Sequence, residues 1–172
     1  MSISTGAQPC SLPRRADLSG RDLRLRPDEG GLDAQSGTSQ YGRNRDDWGN
    51  WFGVNNSFPL WHYVLEDHYT RRNPHVAPPD PIRQLVLPRN PKIFPARAPE
   101  KRYHNFGEAG HFTSACASII YRDELLFPDS GRLRQTAEGV TARAGAHAFV
   151  CEPFHNLVHH EVVREEGVSF AA

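Results

Sequence analysis

Histidine, serine, arginine and carboxylate residues crowd a few short stretches of the chain, and their spacing limits the chemistry they can do. In His155-Asn156-Leu157-Val158-His159-His160-Glu161, a helix would set His155 and His159 one turn apart, where they could chelate zinc. The flanking residues read instead as a strand, which puts Leu157, His159, Glu161 and Val163 on one face and Val158, His160 and Val162 on the other. HExxH is absent, and no metal site is assigned. Ser114 has neither a nucleophile elbow nor the chain order of a hydrolase triad around it. For a general base the candidates are His62 and His111, since histidine alone titrates near neutrality without perturbation. In Arg71-Arg72-Asn73-Pro74-His75, Arg72 could grip a carboxylate or phosphate through its guanidinium fork. The alternative is a solvated pair bracing nearby carbonyls.

The densest aromatic stretch is residues 47–62, which hold all 3 tryptophans of the chain. An indole buries a large apolar area but needs a partner for its N–H. Asn supplies both donors and acceptors, and Gly permits close approach. Two readings stay open: a structural corner of a β-sheet, or the rim of a pocket with Trp51, Asn55, Asn56 and Trp61 facing a ligand.

The elements that must position these residues are short. Only 38% of the 172 residues are hydrophobic, and Gly and Pro number 14 each, which describes a loop-rich chain. Residues 21–26 alternate with period two and end in a Pro-Asp-Glu-Gly-Gly turn, and residues 37–41 are expected to pair back on them. Further strands are expected at 48–53, 60–65, 115–121, 146–152, 157–163 and 168–170, with one helical turn within 66–73. Residues 74–105 are Pro-rich and read as an extended surface connection. The period-two pattern with closely spaced turns predicts an all-β sandwich, barrel or propeller.

Acidic and basic residues balance at 20 each, so no global field recruits nucleic acid or an anionic membrane. No apolar run is long enough to span a bilayer, and residues 1–18 contain no signal-peptide core. The 3 cysteines form neither CxxC nor CxxCH, so this chain carries no haem c attachment site.

Residues 48–62, Thr113-Ser114-Ala115-Cys116 and Phe149-Val150-Cys151-Glu152-Pro153-Phe154-His155-Asn156-Leu157-Val158-His159 together carry a family likeness. Over residues 20–172 the chain resembles the β-propeller domain of membrane-bound dehydrogenases found in large bacterial proteins. Those are similar to soluble glucose and sorbosone dehydrogenases that use pyrroloquinoline quinone. The resemblance implies a six-bladed propeller of four-stranded antiparallel blades, of which this chain would supply two or three, and an unmatched, disordered stretch at 1–19. It further implies an oxidoreductase acting on a sugar or alcohol, with pyrroloquinoline quinone and calcium in the whole protein. A periplasmic location and a c-type haem domain elsewhere in a longer protein follow from the same likeness. A fragment of this size is expected to be inactive alone and prone to associate. The alternative function is a non-catalytic propeller that acts as a carbohydrate- or protein-binding platform.

Within the implied blade, His111, Thr113, Ser114 and Cys116 lie on a channel-lining strand, where small polar side chains either face a ligand or pack the axis. Cys116 and Cys151 fall on neighbouring strands of that blade. They are expected either to form a disulfide or to remain buried free thiols, with Cys10 free.

Overall fold

The structure, a computed structural model, describes residues 16–96, 110–128, 133–135, 141–143 and 145–172. The chain divides into two compact units, residues 1–38 and residues 39–172. In the first, β1 (Asp22–Arg26) pairs antiparallel with β2 (Gly31–Gln35), Asp22 opposite Gln35 and Arg26 opposite Gly31. The partner of β1 is therefore 31–35 and not the expected 37–41. The turn closes directly at Gly30, which has a φ of 67°, so the nearest following residues complete the hairpin.

The second unit is built on two four-stranded antiparallel sheets. One runs in sequence order through β3 (Arg43–Arg45), β4 (Trp51–Asn55), β5 (Phe58–Tyr63) and β6 (Ile82–Gln84). The other is formed by β7 (Cys116–Tyr121), β10 (Ala146–Glu152), β11 (Leu157–Glu166) and β12 (Ser169–Ala171). A two-stranded ribbon, β8 (Leu133–Gln135) with β9 (Thr141–Arg143), comes between β7 and β10 in the sequence. Among the described residues, helix is limited to α1 (Asp67–Thr70) and a 3-10 turn at Pro153–His155. The chain is all-β, as the alternation and turn chemistry predict.

Two expectations shift. β4 starts at Trp51 and not at 48, because the Asp46 carboxylate accepts the N–H groups of Trp48 and Asn50 at 3.0 and 2.8 Å and holds 46–50 as a turn. The Pro-rich stretch is more than a surface connection. It contributes β6, which pairs with β5, and it buries Leu85, Val86 and Ile93. Proline excludes a long strand there, but three of the six residues between Pro81 and Pro88, Ile82–Gln84, are free to pair.

Core residues follow the strand period. Phe52 and Leu60 from the first sheet meet Ala148 and Val163 from the second, with Leu85 and Val86 in the same cluster and Ile120 and Phe170 packed against it. A second cluster joins Val54, Ile93, Phe112, Ala115 and Val150. The opposite face of β5 is buried as well, Trp61 to 2% and Tyr63 to 7% exposure. This requires Gly53 on β4, because a Cβ there would lie 2.4 Å from Trp61 Nε1 and 2.6 Å from Tyr63 Oη.

Gly53→Ala should therefore be destabilising by overpacking, by about 1–3 kcal/mol. Urea unfolding is the measurement, and an unchanged midpoint would mean that the indole and phenol can move aside without cost.

Candidate functional site

β10 alternates faces so that Ala148, Val150 and Glu152 all point into the core. Glu152 is thus a carboxylate at 0% exposure, and such a group is tolerated only if its lone pairs are filled. They are. The loop before β7 donates two backbone N–H groups, from Thr113 at 3.3 Å to Oε2 and from Ser114 at 3.1 Å to Oε2. The Ser114 hydroxyl donates to Oε1 at 2.6 Å and the Thr113 hydroxyl at 3.4 Å. His155 Nδ1 lies 3.2 Å from Oε1. His155 is also at 0% exposure, and its Nε2 accepts the Gly110 N–H at 3.2 Å, which assigns the proton to Nδ1. Ser114 Oγ in turn accepts the Phe154 N–H at 2.9 Å.

Ser114, His155 and Glu152 are the residue types of a hydrolytic triad, but they are wired differently. A triad needs the imidazole between hydroxyl and acid, so that its free nitrogen takes the serine proton. Here serine and histidine both bind the carboxylate, and the other imidazole nitrogen holds a backbone amide. The arrangement is a clamp that joins the end of β10 to the 110–115 loop. Two further bonds extend it, Ala96 N–H to His155 O at 3.0 Å and Ala115 N–H to Asn56 O at 3.0 Å. Asn156 supplies the left-handed residue, φ 54°, that reverses the chain after the 3-10 turn.

The candidate bases have similar structural commitments. His62 lies in the core with Nδ1 2.9 Å from the Ser169 hydroxyl and its ring against Phe52 and Phe170. Burial lowers its pKa to about 4; Asp46 opposes the shift and Arg83 adds to it. It is neutral at pH 7, yet it does not line the small cleft that Phe52, Phe170, Trp48 and Arg122 border. His111 is half-buried, its Nδ1 3.1 Å from Asn90 O. The Asn90 side chain accepts the Phe112 N–H at 3.0 Å and donates to Phe112 O at 3.4 Å, in place of a strand partner.

The four residues of the aromatic stretch named as ligand-facing candidates lie on β4, on β5 and in the turn between them. Trp51 is half-buried, with Arg45 5.7 Å from its ring. Trp61 is buried, and its Nε1 has no hydrogen-bond partner. Asn55 pairs with Phe58 in the ladder, and Asn56 is tied to Gln40 and to the Tyr41 hydroxyl. Arg72 is exposed on a loop, in a groove away from these residues. His155 and His159 occupy different elements, a 3-10 turn and β11, and do not converge as a helical pair. The face assignment of β11 holds: Val163 is buried and Leu157 packs on the core, while Val158 and His160 are exposed.

Cys116 and Cys151 are directly opposite in the β7–β10 ladder, beside an irregularity in register, and both are free thiols. Burial first, then Cys151 and Glu152, push the Cys116 thiol up. Cys10 lies outside the described residues. On the outer face of the same sheet, His147 Nδ1 and His160 Nε2 are 2.8 Å apart under the ring of Phe127. The sequence reading missed that pair, as it missed the role of Glu152. The signal for Glu152 was available: it occupies the inward parity of a strand whose other inward residues are Ala and Val.

The family described as Domain of unknown function (DUF7133) has a model that matches residues 4–172. No curated protein and no solved structure matches the chain.

Two outcomes follow from this geometry. Glu152→Gln keeps the shape but turns one acceptor into a donor among donors, and should cost about 1–3 kcal/mol in urea unfolding, with Ser114→Ala costing about 1 kcal/mol. A wild-type midpoint for Glu152→Gln would mean that the charge on the carboxylate does not hold the clamp. For His62 the folded pKa of about 4 lies below the ordinary value of 6.5, so between them the unfolded chain binds more protons. Its contribution is whole above pH 6.5 and is lost as pH falls toward 4, by at most about 3 kcal/mol. His147, also lowered by burial and then by His160, acts in the same direction. Unfolding midpoints at pH 7 and pH 5 test this: His62→Gln should flatten the difference, and a wild-type midpoint that ignores pH would refute it.

Proposed function

The chain belongs to the DUF7133 family, and from that premise we propose that it is a propeller segment of quinone-dependent dehydrogenase ancestry serving as a non-catalytic binding platform. Two four-stranded antiparallel sheets, one of them a strictly sequential meander, support reading each sheet as a blade. The six-bladed ring and the periplasmic setting rest on the resemblance over residues 20–172.

One observation carries the non-catalytic reading. Of the side chains suited to acid–base work at the sheet junction, His62 is held by Ser169, and Ser114 and His155 by Glu152, whereas His111 donates Nδ1–H to the Asn90 carbonyl and keeps its Nε2 lone pair. The donor set of the described residues does not suit calcium with pyrroloquinoline quinone either. Calcium takes roughly six to eight oxygen ligands, typically including several carboxylates. Among the described residues no group of three or more His, Cys, Asp or Glu gathers, and the one fully buried carboxylate is saturated by N–H and O–H donors. No chemical step is therefore assigned to this chain.

Incubated with pyrroloquinoline quinone and calcium and offered a panel of sugars and alcohols, the protein should reduce an acceptor dye no faster than a protein-free control. Protein-dependent reduction that disappears in His111→Ala would overturn the platform reading and restore an oxidoreductase.

A further inference from the structure

We propose that the groove beside Arg72 binds a small organic carboxylate with a cyclic apolar body. The cavity has a volume of about 530 Å³ and follows α1, within the usual span of small-molecule sites, roughly 300–1,000 Å³. Leu65, Val76 and Pro78 make an apolar wall, and Tyr69, 56% exposed, stands among them with His68 against its ring. Mostly apolar walls with a few fixed polar groups are what small-molecule sites present.

The polar groups select the charge. Arg71 and Arg72 are indistinguishable in the sequence, but the fold separates them. Arg71 is paired with Asp67, whose side chain is only 5% exposed. Arg72 hydrogen-bonds through its backbone N–H to Tyr69 O, and among the described residues its guanidinium has no ion pair or hydrogen bond. Asn73 accepts the His75 N–H with Oδ1, which leaves its NH2 as donor. Among the described residues no acidic side chain lines the groove. One planar fork beside one amide donor, with no second cation, matches the two oxygens and single charge of a carboxylate better than a phosphate dianion. The apolar wall, with the exposed Tyr69 ring standing in it, matches a cyclic apolar body. The inference deepens the platform reading and rests on it, but its readout is separate, since dye reduction would sink that reading without moving a binding signal here.

Saturation-transfer NMR on the full chain with benzoate tests the site. Benzoate should receive saturation at millimolar concentration, and neutral benzamide, the same ring without the charge, should bind at least about tenfold more weakly. Arg72→Ala should weaken benzoate by a similar factor, and Arg72→Lys should fall between, retaining charge but losing the fork. Arg164→Ala, which removes an exposed charge outside the groove, should leave binding unchanged. Circular dichroism confirms that each variant is folded. Equal binding of benzamide, unchanged benzoate binding in folded Arg72→Ala, or no transfer to benzoate would each overturn the proposal. Displacement of benzoate by an equal concentration of inorganic phosphate would overturn the carboxylate class.

Discussion

A buried carboxylate is among the most demanding groups a small β protein can contain, and the loops of the second unit are arranged around one. Glu152 has no solvent to satisfy it, so the fold must bring donors from elsewhere in the chain. Thr113 and Ser114 supply backbone and hydroxyl groups from 39 and 38 residues away in sequence, and His155 supplies an imidazole from the following turn. Each donor is itself constrained: Ser114 also caps Phe154, and His155 also holds Gly110. A buried network of this kind is costly when only partly satisfied, so its members depend on one another. That cooperativity fixes the path of the 110–115 loop, and with it the entry into β7.

From the clamp outward, ordinary packing takes over. The 110–115 loop delivers Phe112 and Ala115 to the cluster that contains Val54, Ile93 and Val150, so the polar network and the apolar core share the same backbone. Asn90 pairs with Phe112 from the other side and anchors the Pro-rich segment, which cannot form a long strand of its own. A side-chain amide thus does the work of a missing ladder partner. The junction between the sheets is held further by the Asn44 amide on Ser118 O and by the Arg122–Asp47 pair.

Strand positions were legible in the sequence wherever alternation was strong. β10 falls at 146–152 as read, and β5, β7, β11 and β12 lie within a few residues of their expected bounds. The errors have physical causes. The start of β4 was displaced by an Asx turn at Asp46, a local hydrogen bond that competes with the strand. Residues 37–41 lost their pairing to the nearer residues 31–35 because the turn at Gly30 was tight enough to close the hairpin at once. β6 was hidden because proline density masks a three-residue strand and a buried Leu85-Val86 step. Side-chain roles were less legible than strands. Residue type suggested a base at His62 or His111 and a ligand-facing hydroxyl at Ser114, but what such a group can do depends on what fills its lone pairs, and those partners come from distant segments.

That distinction governs where activity can reside. Neutral imidazole is a hydrogen-bonding unit that accepts at one nitrogen and donates at the other, so it can satisfy two buried groups at once without a formal charge. His155 is used in this way, and His62 is kept neutral by burial against Ser169. Groups held like this stabilise a sheet junction at the expense of reactivity, since a base whose lone pair already accepts a hydrogen bond must break that bond before it can take a proton. Polar capacity left over from folding is the better guide to function in this chain. Beside α1 it concentrates at Arg72 and Asn73, next to apolar surface that the fold leaves uncovered at Tyr69 and Val76. A guanidinium in water gains little from one exposed partner, but against an apolar wall that shares in excluding solvent the same contact strengthens. Recognition there depends on both parts of a ligand arriving together, the charge at the fork and the ring on the wall.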